Sequence, residues 1–215
     1  MRTMPIPFFL SALALSALLT ACAGSPPARY YTLQAPAQAA ASQAGRAGYQ
    51  IELAPVTVPL QADQPQIMVR EGDDGALMPL YSDRWSAPLA DEIGSALSDT
   101  LTRTLGALDV QTLKPAADTP VWRVQVDVQR FDMLADGPVR LDATWRVRPI
   151  NQKGGAALLC RSVAQVPADG TGVPALVRAQ QQAVALLGRT IASAVQSGGA
   201  RATPASPEVQ LWGCT

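Results

Sequence analysis

Two stretches near the middle of the chain, "VWRVQVDVQRF" (121–131) and "VRLDATWRVRPI" (139–150), alternate apolar and polar residues. A period of two sends successive side chains to opposite sides of an extended backbone, so each stretch predicts a strand with one buried face. In the first, Trp122, Val124, Val126 and Val128 point one way, and Arg123, Gln125, Asp127 and Gln129 the other. In the second, Val139, Leu141, Ala143, Trp145 and Val147 oppose Arg140, Asp142, Thr144, Arg146 and Arg148. "DG" at 136–137 suits a tight turn between them, so an antiparallel hairpin is predicted. "AALLCRSVAQV" (156–166) follows "NQKGG" and is expected to pair alongside. Such a sheet needs cover on its apolar face, and its other face meets water or a partner.

Two helical stretches supply the cover. Within "SDRWSAPLADEIGSALSDTLTRTLGALDV" (82–110), Leu89, Ile93, Leu97, Leu101 and Leu105 recur every four residues, and Ala96, Thr104 and Leu108 widen the stripe. Ser86 is the expected N-cap, Pro88 suits the first turn, and Asp91 and Glu92 favour the positive end of the helix dipole. "PALVRAQQQAVALLGRTIASAVQ" (174–196) carries Leu176, Ala179, Ala183, Leu187, Ile191 and Ala194 on one stripe, and Gly198 and Gly199 end it.

Upstream, "RYYTL" (29–33) reads as a brief strand, and "YQIELAPVTVP" (49–59) as a strand with a kink at Pro55. "QIMVREGDDGALMPLY" (66–81) reads as a hairpin. Asp73 and Asp74 are turn residues on this reading, because a calcium loop needs a longer run of alternating oxygen ligands. "QAPAQAAASQAGRAG" (34–48) has no apolar stripe and is expected to be a flexible loop. The whole order predicts an α+β fold: a mostly antiparallel sheet with two main helices packed on one face.

The N-terminus has a different character. Arg2 is the only charge before residue 22, and Ile6 to Leu19 is almost entirely Ile, Phe, Leu, Ala and Ser. A basic start and a short apolar core have the shape of a secretory signal, since a bilayer span wants roughly 20 residues. The core ends in "LLTAC", which resembles the lipobox of bacterial lipoproteins. That resemblance implies a signal peptide at 1–21, cleavage before Cys22, and a covalent diacylglyceryl and acyl lipid on Cys22. It implies three acyl chains, and each buried CH₂ contributes about 0.8 kcal/mol to anchoring. Ala23 follows, where lipoproteins retained at the inner membrane in enteric bacteria often carry Asp, so the outer membrane is expected. The remaining chain divides into a leader (22–28), a domain (29–197) and a C-terminal tail (198–215).

Cys22 apart, Cys160 and Cys214 remain. Two cysteines in an exported chain point to one disulfide, which would staple the tail, helped by Trp212, to a strand. The alternative is a buried free Cys160 and an exposed Cys214. The chain contains no histidine, which removes Ser-His-Asp and Cys-His machinery and histidine metal sites. Its two lysines, Lys114 and Lys153, lie in turn-like stretches and read as solvated loop residues. With 17 basic and 17 acidic residues it has no global basic signature for nucleic acid. No cofactor or metal is expected beyond the covalent lipid.

The ordered series of lipobox, "YYTL", "LAPVTVP", "QIMVR", "DRWSAPLADEI", "VQVDVQRFD" and "LDATWRV" resembles the auxiliary lipoproteins of ABC-type transporters, the PqiC/YmbA-like group. "AQAAASQAG" and the tail after residue 197 lie outside the resemblance. It implies a non-enzymatic partner of a mammalian-cell-entry (MCE) system that moves lipids or other apolar cargo between the inner and outer membranes. The lipoprotein would dock the periplasmic MCE-domain protein to the outer membrane. MCE partners form rings, so a homo-oligomeric ring is an expectation too.

Tyr30, Tyr31, Arg84 and Trp85 are the candidate partner-binding residues, because aromatic residues and Arg are enriched at interface hot spots. The competing reading makes Trp85 a core staple over the helix start. The arginines of the 139–148 strand are a second candidate surface, or simply its solvent side. Another class of function is an outer-membrane assembly or cell-wall-binding structural lipoprotein. A third is a carboxylate hydrolase using Asp127 and Asp142, read as surface carboxylates of neighbouring strands.

Overall fold

The computed structural model describes residues 27–36, 47–72, 75–113, 118–135 and 137–215. The signal segment, Cys22, the Asp73–Asp74 turn, Lys114 and most of the 34–48 stretch lie outside the described residues. The alternating segments form the expected strands, β5 (Val121–Met133) and β6 (Val139–Ile150), antiparallel with Val124 opposite Val147 and Val126 opposite Trp145. β7 (Leu158–Val166) pairs with β6, Cys160 lying opposite Trp145. Two short strands complete this sheet: β2 (Gln50–Leu53) runs parallel to β5, and β8 (Val209–Trp212) pairs with β7, in the order β2-β5-β6-β7-β8.

β5 does not keep one phase throughout. A bulge between Val128 and Arg130 leaves Gln129 without an opposite residue. One extra residue reverses the alternation, so Phe131 and Met133 take the inward positions opposite Leu141 and Val139. Gln129 turns its amide to Asp127 and to the Thr144 hydroxyl instead.

A second sheet holds β1 (Arg29–Tyr31), β4 (Leu77–Trp85) and β3 (Gln66–Arg70) in the order β1-β4-β3. β3 and β4 form the expected hairpin, whereas β1 runs parallel to β4. The two sheets meet where Arg70 bridges to Leu134 and the Ala135 amide donates to the Arg70 carbonyl.

The first helix, α1, spans Leu89–Leu105, shorter than the stretch in which it was expected. Pro88 occupies the N-cap position with extended ψ, and a residue before proline avoids helical geometry, so Asp83–Trp85 stay in the strand. Ser86 is therefore not the N-cap. At the other end Gly106 adopts φ 64° and closes the helix on the Thr102 carbonyl. The chain leaves the helix there, so Leu108 is 71% exposed rather than part of the stripe. The second helix, α2, spans Gly172–Gln196 and is buried on most of its surface, because α1 covers one side and β6 and β7 the other. The two helices pack tightly at Gly188, where a Cβ would lie 2.8 Å from Thr100 Cγ2.

Candidate functional site

The four residues singled out for partner binding meet at one place. In the parallel pairing of β1 and β4, Tyr30 stands beside Arg84 and Tyr31 beside Trp85. Side chains alternate along each strand, so the first pair faces outward and the second inward. Tyr30 is 65% exposed, whereas Trp85 is 5% exposed and meets Phe131 edge-on at a centroid distance of 6.0 Å. Trp85 is thus a core residue, and its burial removes it from the candidate partner surface. Burial and a hydrogen bond to Asp83 push the Tyr31 hydroxyl above its ordinary pKa. Asp83, itself buried, pairs with Arg29 at 2.8 Å.

Directly behind this pair lies a residue that the sequence presents only as a first-turn acid. Glu92 is 4% exposed. Its carboxylate accepts from the Thr32 hydroxyl at 2.7 Å, from the Leu33 amide at 2.8 Å and from the Ser86 hydroxyl. The Ser86 amide donates to the Tyr31 carbonyl at 2.8 Å, and Gln181 donates to the Thr32 carbonyl at 2.9 Å. The stretches "RYYTL" and "DRWSAPLADEI", far apart in the chain, are one structure. No local signal marks this role of Glu92, because two of its three partners, Thr32 and Leu33, arrive from about 60 residues away.

The uncovered face of the five-stranded sheet carries a charge lattice. Asp142 accepts two hydrogen bonds from Arg161, each 2.8 Å, and lies 3.6 Å from Arg140. Asp132 accepts from Arg130 Nε at 2.9 Å, with Nη2 at 2.7 Å, and more weakly from Arg70 Nη2 at 3.5 Å. Asp142 therefore departs from the surface carboxylate that the alternation predicts: it is on the polar side, yet fully buried. The Arg161 hydrogen bonds hold its carboxyl below the usual range despite the opposing effect of burial. Asp127 stands opposite Thr144, not Asp142, and accepts from the Thr57 hydroxyl. The two carboxylates proposed as a catalytic pair are thus each engaged with other groups.

Cys160, 1% exposed on β7, is bonded to Cys214 in the structure, with an Sγ–Sγ distance of 2.03 Å. Leu159 and Thr215 exchange two backbone hydrogen bonds beside it, 2.8 and 2.9 Å. Trp212 is 57% exposed and does not hold the tail, a task that falls to Val209, 4% exposed, and to the cystine. Among the described residues no helix is long and apolar enough to cross a membrane, and no group of three or more acidic or cysteine side chains could hold a metal ion.

Fold and site together define an α+β domain with a packed interior and a polar, arginine-rich open face. The chain belongs to the family of ABC-type transport auxiliary lipoprotein components, whose model matches residues 31–192. The matched span includes β4, α1 and the central three strands, and Tyr31 opens it. Solved structures share the fold. A crystal structure of an uncharacterized protein superposes with a TM-score of 0.62 at 17% identity, covering 79% of this chain and 99% of the other. Protein XCC0632 from Xanthomonas campestris, of the DUF330 family, gives 0.59 at 16% identity, with 80% and 96% covered. No curated protein matches the chain.

Proposed function

We propose that this auxiliary lipoprotein is anchored at the periplasmic face of the outer membrane by lipid on Cys22, and that it docks an MCE-domain protein of an ABC-type lipid transport system. The observation that carries the reading is the fastening of the segment just behind the lipidation position. Arg29 is the seventh residue after Cys22. At about 3.5 Å per extended residue the leash is at most about 25 Å. Beyond it, Thr32 and Leu33 are held by Glu92, so the domain stays near the membrane. Tyr30, exposed, and Arg84, half-buried, then form an aromatic–cation pair close in sequence to Cys22, a composition favoured at interface hot spots.

The test is to solubilise membranes, purify the full-length lipidated protein and identify what accompanies it. The reading expects an MCE-domain protein, lost when Tyr30 and Arg84 are both replaced by Ala while the protein itself remains folded. Recovery of only peptidoglycan or outer-membrane assembly factors would sink docking and favour the structural alternative.

A further inference from the structure

On the open face, four arginines share two aspartates. Asp142 takes both hydrogen bonds of the Arg161 fork, and Asp132 Oδ2 takes the Arg130 Nε hydrogen bond and pairs with its Nη2. Arg70 and Arg140 are left with contacts of only 3.5 and 3.6 Å. Their Nε atoms are buried and have no hydrogen-bond partner among the described residues. A buried donor left unpaired is costly, and more so on a cation.

Arg70, Arg130 and Arg140 converge on one cleft of about 330 Å³, lined also by Asp132, Gln165 and Gly72. The pairing explains the convergence. Arg140 on β6 lies opposite Asp132 on one side and Gln165 on the other, while Arg70 reaches in from the second sheet. From these observations we infer that the cleft binds a phosphate group, with Arg70 and Arg140 as its principal donors, Arg130 at the rim and Gln165 as a neutral donor. Planar guanidinium forks match the oxygens of phosphate, and three of them suit its peripheral oxygens better than the two of a carboxylate. The space exceeds one phosphate ion, so the group can be free or part of a phosphodiester such as a phospholipid headgroup. The inference stands apart from the docking reading, because it uses neither Tyr30 nor the lipid on Cys22.

The experiment is calorimetric titration of the full-length lipidated protein in a neutral, non-phosphate detergent. The probes are inorganic phosphate and glycerophosphoglycerol, a deacylated phospholipid headgroup, each at constant ionic strength set with chloride. Saturable binding is expected, weakened about tenfold or more in Arg140→Gln and in Arg70→Gln, since a hydrogen bond to a charged group contributes about 1.5–3 kcal/mol. Arg148→Gln, on the same face outside the cleft, should bind as the wild type does. Tighter binding of inorganic phosphate identifies a free anion as the ligand, and tighter binding of the diester identifies a headgroup; either supports the site. Absence of saturable binding with both probes overturns it, as does equal weakening by Arg148→Gln. Should Arg70→Gln or Arg140→Gln lose its circular-dichroism signature, Arg130→Gln, at the exposed rim, gives the decision: unchanged affinity there overturns the site.

Discussion

Arg161 on β7 and Asp142 on β6 are diagonal neighbours, Arg161 standing opposite Thr144 and Asp142 opposite Val163, and share two hydrogen bonds of 2.8 Å with the carboxylate fully buried. The partner that shields Asp142 is itself half exposed, so this pair is a lid on a buried charge. Its carboxyl pKa is lowered in the folded state, so the pair contributes stability above the unfolded carboxyl pKa of about 4. That stability is lost as pH falls through the still lower folded value. Urea unfolding at neutral and at acid pH should show wild-type stability falling with acidification. In Arg161→Gln stability should be lower at neutral pH, and the acid-dependent part of the loss smaller.

Glu92 ties the N-terminal strand to α1 through three donors. Glu92→Leu leaves the buried Leu33 amide unpaired and should destabilise the domain by about 1–3 kcal/mol in chemical denaturation. Hydrogen exchange at Leu33 should speed up in step. Glu92→Gln, which keeps one acceptor oxygen, should lose less.

The bond between Cys160 and Cys214 joins residues 54 apart in sequence. A chain-entropy estimate for a loop of that length is about 4 kcal/mol, an upper figure for most measured bridges. Cys214→Ser should lower the unfolding free energy by up to that amount and free β8 to exchange faster. Denatured, unreduced protein should show no titratable thiol from this pair, and two thiols would contradict the bond.

At the crossing of α1 and α2, Gly188 leaves room for Thr100 and nothing more. Gly188→Val forces the helices apart and should cost about 1–3 kcal/mol, read as a lower thermal midpoint. Combining it with Thr100→Ala, which removes the clashing Cγ2, should restore part of the loss.

Residues 121–166 and 174–196 were legible because their signals are local. Alternation along β5, β6 and β7 and the stripe of α2 repeat within a few residues, so the sequence alone suffices to place them. The start of α1 was less so. The leucine stripe says where a helix can run, but Pro88 and the pairing of Asp83–Trp85 with β1 decide where it begins. The candidate site was legible in composition and not in arrangement. Tyr30, Tyr31, Arg84 and Trp85 are visible as aromatic and cationic residues, and only the β1–β4 register sorts them into an outward and an inward pair.

The amino-acid sequence by itself determined the α+β class, the main strands and helices, the absence of histidine chemistry and the family resemblance. Each follows from composition or from a period shorter than one element. Tertiary structure alone decided that Trp85 is core, that Asp142 lies buried under Arg161, that Glu92 gathers the N-terminal strand, and that Arg70 and Arg140 share a cleft. Those outcomes depend on contacts between residues tens of positions apart, fixed by strand register and by one bulge, which no local pattern encodes.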